Sequence, residues 1–208
     1  AVWATQLSLW RDAAEKNPER HRVIDNYAFT LQRAGRRDEA IRMFQRAQGL
    51  ARAPREIAAT ARNLGGLYFD AKDYRAAVEV LTIGVAADRQ DFEVRVGLAD
   101  SLRLLGRLDE AYAEALRAVS LAPDSPVARD GFGLVLLGQG DHGRALEQFR
   151  KAAAIDPGSR QYREHVFLAL GQLGRRDEAC AVWAGLGAGA ARTEALSRSL
   201  AAQLACGR

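Results

Sequence analysis

The chain has little with which to build a metal site, a disulfide framework or a membrane span. Its 208 residues include two cysteines, three histidines and one methionine. Cys180 and Cys206 are too few for a stapled fold; they read as free buried thiols, with pairing across the last helix hairpin as the alternative in an oxidising compartment. His21, His142 and His165 stand at no ligand spacing and have no cysteine pair near them, so no metal and no other cofactor is expected. Each reads as a turn or helix-surface residue. No apolar run approaches the roughly 18 residues that a membrane-crossing helix needs. Five prolines, 48% hydrophobic residues and no low-complexity stretch describe a packed chain without an internal linker. Phosphate-cradling loops, nucleophile elbows and dinucleotide fingerprints are missing as well, so no enzymatic activity is expected of this segment.

Glycine is plentiful, and its spacing is informative. Gly106, Gly140 and Gly174 recur every 34 residues, each followed at a fixed offset by an alanine (Ala111, Ala145, Ala179). A second alanine lies seven positions later (Ala118, Ala152) and a proline five beyond that (Pro123, Pro157). Such a period marks a unit that cannot bury its own apolar face and stacks on its neighbours. The glycine ends the first helix of a pair, where a positive φ is needed. The Asp-Glu-Ala runs after it (Asp38 to Ala40, Asp109 to Ala111, Asp177 to Ala179) place carboxylates at the positive end of the second helix. Alanines suit close helix crossings, and the proline stops the second helix.

These residues resemble the tetratricopeptide repeat. Leu64, Gly65 and Tyr68 match its L-G-x-x-Y segment, Ala40 with Phe44 and Ala145 with Phe149 its A-x-x-x-F segment, and Pro123 and Pro157 its closing proline. The resemblance implies an all-α fold, a right-handed α-α superhelix forming a single array over residues 1–208. Repeats fall at 21–54, 58–91, 92–125, 126–159 and 160–188, with a half-repeat helix at 1–18 and a capping helix at 191–205. Between the first two repeats the spacing stretches to 37 residues, which the sequence assigns to a longer linker around Pro54. Lys72 where others have glycine, Gly84 in place of alanine and Ala115 in place of an aromatic read as tolerated swaps. Repeat five runs into Gly185, Leu186, Gly187, Ala188 and Gly189 instead of a proline, so its second helix should end early. Leu196, Leu200 and Leu204 form the apolar stripe of the cap, with Arg192, Arg198 and Gln203 as its polar face.

At the other end Trp3, Leu7, Trp10 and Ala14 recur at helical spacing, and the tryptophans read as core packing on repeat one. The chain opens without methionine and reads as beginning mid-protein. Residues 3–19, with Leu-Trp-Arg-Asp and Lys-Asn-Pro-Glu, are also similar to the stretch after the last membrane helix in multi-pass, glycosyltransferase-like proteins with a C-terminal tetratricopeptide array. That second resemblance implies tethering to a membrane upstream, a place on its periplasmic face, and catalytic residues elsewhere. The alternatives are a free-standing scaffold in the bacterial cytoplasm and a self-assembling array, a homo-oligomer through the half-repeat.

The formal charge is +4, with 27 arginines to three lysines, a skew expected of a GC-rich bacterial genome. The arginines are spread through every repeat rather than drawn into a stripe with stacking aromatics, so nucleic acid is not an expected partner. In tetratricopeptide proteins ligands lie in the concave groove lined by the first helices. By that resemblance the groove residues are Arg22, Asp25, Phe29, Gln32 and Arg33 in repeat one, Arg62 and Phe69 in repeat two, and Asp100 and Arg103 in repeat three. Val127, Leu134, Leu137 and Leu168 continue it in repeats four and five. A groove charged at one end and apolar at the other implies a protein or peptide partner with both characters. The lysine and asparagine that grip chaperone C-termini are replaced by Asp25 and Phe29, which excludes that specialisation.

Overall fold

The computed structural model describes residues 2–186, 199–204 and 206, with side chains from Thr5 onward. The elements are α1 (Val2–Lys16), α2 (His21–Arg33), α3 (Arg37–Leu50), α4 (Pro54–Asp70), α5 (Tyr74–Ala87), α6 (Phe92–Leu104), α7 (Leu108–Leu121), α8 (Pro126–Gly138), α9 (His142–Ile155), α10 (Arg160–Gln172) and α11 (Arg176–Ala184). Residues 199–203 are helical too, and no strand occurs among the described residues. The all-α reading holds. Most of the expected cap, at 191–198, lies outside the described residues, as do Gly187, Ala188 and Gly189.

Repeat chemistry explains where the helices turn. Gly35, Gly106, Gly140 and Gly174 take φ of 77°, 76°, 80° and 69°. One residue later a backbone N–H reaches back to the last turn: Arg36 to the Leu31 carbonyl at 2.9 Å, Asp141 to Leu136 at 2.9 Å, Arg175 to Leu170 at 3.0 Å. This six-to-one bond closes the helix end. Lys72 stands in the same place with φ of 62°, a left-handed conformation held without glycine.

Second helices start in two ways. Asp73 and Asp141 cap α5 and α9 by accepting from the backbone of Ala76 and Arg144. At α3, α7 and α11 the cap residue is an arginine, Arg36, Arg107 or Arg175, with no side-chain bond to the helix backbone. Its guanidinium instead grips the glutamate three residues on, as in Arg107 to Glu110 at 2.7 Å through both nitrogens.

The extra residues between repeats one and two do not form a longer linker. They lengthen α4 to 17 residues. Pro54, with its φ preset, occupies the first turn, and the Glu56 carboxylate accepts from the backbone of Arg52 and Ala53, both at 3.2 Å. These two donors hold the Glu56 carboxyl below its ordinary value.

The chain falls into two compact units, residues 1–105 and 106–208. In the first, α1 packs on α2, then α2 with α3 and α4 with α5 form pairs, and α6 lies against α4 and α5. Ala28, Leu31, Ala40, Phe44, Leu64, Leu67 and Val80 are its main core; Leu7 of α1 closes over them, while Ala14 joins Ile24 and Ala47 in a second cluster. In the second, α8 pairs with α9 and α10 with α11, and α7 packs on α8. Phe149, Phe167, Leu136 and Leu170 are fully buried there.

Sizes are matched across two of the helix pairs, α8 with α9 and α4 with α5. Gly133 faces Phe149, so close that an added methyl would lie 2.5 Å from the ring, and Gly65 faces Leu81 at 2.6 Å. Gly84 is not a tolerated exchange for alanine: a methyl there would meet the Ala61 methyl at 2.9 Å and Val94 at 3.0 Å.

Candidate functional site

In unit one, two of the hollows lined from α2, α4 and α6 each gather several of the expected groove residues. The wider, about 670 Å³, is lined by Phe29, Gln32, Arg33, Gly35, Arg37, Leu67 and Asp70. Phe29 is 46% exposed and so presents its ring to the hollow. The narrower, about 230 Å³, is a recess between α4 and α6. Gly65, Gly66 and Gly97 line it without side chains, Phe69, Leu81 and Val96 make it apolar, Arg62 and Asp100 add charge, and the buried Ser101 hydroxyl donates to the Gly97 carbonyl at 2.8 Å. A methyl at Gly66 would touch nothing within 4 Å, so the space above it is open. Phe69 is braced edge-on by Tyr74 with ring centroids 5.4 Å apart.

Several charged residues on this face are engaged within the chain. Arg62 pairs with Asp91 at 3.4 Å and with Glu93. Arg103 holds Asp100 at 2.5 Å. Asp25 accepts the Thr60 hydroxyl at 3.0 Å, and Thr60 in turn lies 2.9 Å from His21 Nε2. Because the hydroxyl hydrogen points to the carboxylate, the His21 ring donates from Nε2, and the three residues tie α2 to α4. Burial pushes the Asp25 carboxyl above its ordinary value, opposed by the Thr60 bond and the His21 ring. Arg22 and Arg33 are exposed on α2.

In unit two the corresponding positions are apolar. Val127 is 49% exposed at the start of α8, and Leu134, Leu137 and, on α10, Leu168 are half-buried. Beneath them lies a polar pair: His165 Nδ1 donates to Asp130 Oδ1 at 2.6 Å, both buried. Gln161 donates to the other Asp130 oxygen at 3.2 Å, and the Phe149 ring lies 5.1 Å from the imidazole. His165 is therefore a core residue linking α8 to α10, not a surface one. The cysteines are also placed otherwise than the free-thiol reading has them: Cys180 and Cys206 form a disulfide.

Family models for the tetratricopeptide repeat match residues 20–90 and 68–130, together more than half of the chain. The chain belongs to the tetratricopeptide repeat family. Several solved tetratricopeptide structures share its fold. A tetratricopeptide repeat protein from Parabacteroides merdae is 14% identical, with a TM-score of 0.81 over 98% of this chain and 81% of that one. YrrB, described as a tetratricopeptide protein with an unusual peptide-binding site, is 22% identical with a TM-score of 0.65 over 83% and 91%. MamA from Desulfovibrio magneticus is 18% identical, with a TM-score of 0.67 over 80% and 92%. No curated protein matches in sequence.

Tetratricopeptide arrays are interaction scaffolds, typically without catalysis, whose stacked helices offer extended surfaces to protein partners. No helix among the described residues is long and apolar enough to cross a membrane. Among the residues expected at the tetratricopeptide groove, Arg62, Phe69 and Asp100 converge on the recess, Phe29, Gln32 and Arg33 on the wider hollow. The glycine lining of the recess is absent from the expected groove residues. Its signal was two adjacent glycines inside a helix, which cost stability unless the missing side chains serve a close approach.

Proposed function

We propose that the chain is a scaffold that binds a protein segment on the first-helix faces, with a large apolar side chain of the partner seated in the recess between α4 and α6. The observation that carries this is the recess itself, roomy enough for one leucine or aromatic side chain, apolar, and rimmed by polar groups that can orient the neighbouring backbone. Arg22, Phe29, Gln32 and Arg33 extend the surface in unit one; Asp25, Arg62 and Arg103 contribute by holding it in shape through their internal partners. In unit two Val127, Leu134, Leu137 and Leu168 offer an apolar strip to the same kind of segment. The reading assigns no reaction to the chain, since its paired carboxylates serve helix starts.

Selection from a random peptide library displays the test. Enriched peptides are expected to share an apolar anchor, and Gly66→Trp, which fills open space, is expected to weaken their binding at least tenfold with an unchanged helical spectrum. Equal binding to the folded Gly66→Trp variant removes the recess from the site.

A further inference from the structure

The terminal helical stretch of unit two is fastened to the last repeat in two ways. One is packing: Leu200 lies on Gly171 of α10, where an added methyl would stand 2.6 Å from Leu200 Cδ2 and 3.2 Å from Cδ1 and Cγ. The glycine is thus the seat of the leucine. Ala201 beside it is buried to 4% exposure. Gly171 shares a face of α10 with Leu168, three residues earlier, so the seat continues an apolar strip. The other fastening is covalent, the disulfide from Cys180 in α11 to Cys206, with Cα atoms 5.0 Å apart at a sequence separation of 26. Both cysteines are half-buried.

The two fastenings are unequal in kind. A short helical stretch is marginal in water without tertiary support, and the seated side chains are small in number. The bond keeps the stretch beside its seat at high local concentration while it is oxidised.

We propose that the Cys180–Cys206 disulfide is a redox latch that holds the chain's own Leu200 in the Gly171 seat and, when reduced, releases it. The reductant is a dithiol. Its thiolate attacks one sulfur and expels the other cysteine as a thiolate; its second thiol then resolves the mixed disulfide. The two cysteines gain two electrons and two protons, and the dithiol leaves as its own disulfide. Release uncovers a glycine-floored apolar seat continuous with Leu168. This does not depend on the recess of unit one or on any partner there.

Hydrogen exchange read by mass spectrometry on the full chain, oxidised and after dithiothreitol, tests the latch. Amides of residues 199–204 and of α10 around Leu168 to Gln172 are expected to exchange at least tenfold faster after reduction, with α8 and α9 unchanged. The Cys180→Ser, Cys206→Ser double variant is expected to match the reduced chain under both conditions. Leu200→Glu, which leaves the bond intact, is expected to deprotect the same part of α10 without reductant. The proposal is overturned by equal protection before and after reduction, by loss of protection across α8 to α11 together, by two titratable thiols in the chain under oxidising conditions, or by Leu200→Glu leaving α10 unchanged.

Discussion

Gly65 and Gly66 are neighbours on α4 with opposite constraints, and Gly133 sides with the first of them. A methyl at Gly133 enters the Phe149 ring, and one at Gly66 enters open space. Gly133→Ala is therefore expected to cost about 1–3 kcal/mol, the range for overpacking. Gly66→Ala should gain about 0.5–1 kcal/mol through helix propensity. Urea unfolding of both variants checks the contrast, and equal signs would contradict it. Asp25 supplies a second prediction. Its carboxyl is raised by burial above the ordinary 3.8. Such a group stabilises the fold below the unfolded value and loses that contribution as pH rises through the folded one. Asp25→Asn keeps an acceptor for Thr60 and does not titrate, so its stability relative to the parent should rise as the pH climbs above the ordinary 3.8 and through the raised folded value. Parallel stability curves for the two proteins would show that the burial cost is not felt.

At the scale of the helix, a side-chain cap and an arginine–glutamate pair differ in their physics as ways of starting. Ser125 accepts the backbone N–H of Ala128 at the start of α8. Ser125→Ala should cost about 1 kcal/mol at any ionic strength. The Arg107 and Glu110 pair at the start of α7 is an exposed ion pair, which also holds the Glu110 carboxyl below its ordinary value. Glu110→Gln is accordingly expected to cost little, and nothing in high salt. A salt titration of both variants separates them; a salt-insensitive loss for Glu110→Gln would mean that the arginine acts by packing. Helix starts and ends were legible in the sequence because glycine, Asp-Glu and proline act locally, within one turn. Pro54 was read as linker because a proline marks a boundary from either side. The roles of His165 and Gly171 depend on residues 35 and 29 positions away, Asp130 and Leu200, and no local pattern announces them. The groove positions came from the repeat register, but their ion pairs did not, since Arg62 reaches across to the start of α6 for its partners.

For the molecule as a whole, we propose that residues 1–208 form one array, as the continuous repeat register suggests. With Trp10 or Trp183 left as the single tryptophan, urea transitions followed by fluorescence are expected to coincide. Two separated midpoints would divide the array into parts that fold alone. The matched sizes within helix pairs bear on how such a chain can be recombined. A crossover between α8 and α9 would set a foreign side chain against Gly133 or Phe149, whereas exchanging both helices as a block keeps the pair together. Gly84 sets a second rule, because it meets Ala61 of its own repeat and Val94 of the next. Breeding new arrays from this one therefore has permitted and forbidden splice points, and the forbidden ones fall wherever a glycine has lent its space to a neighbour.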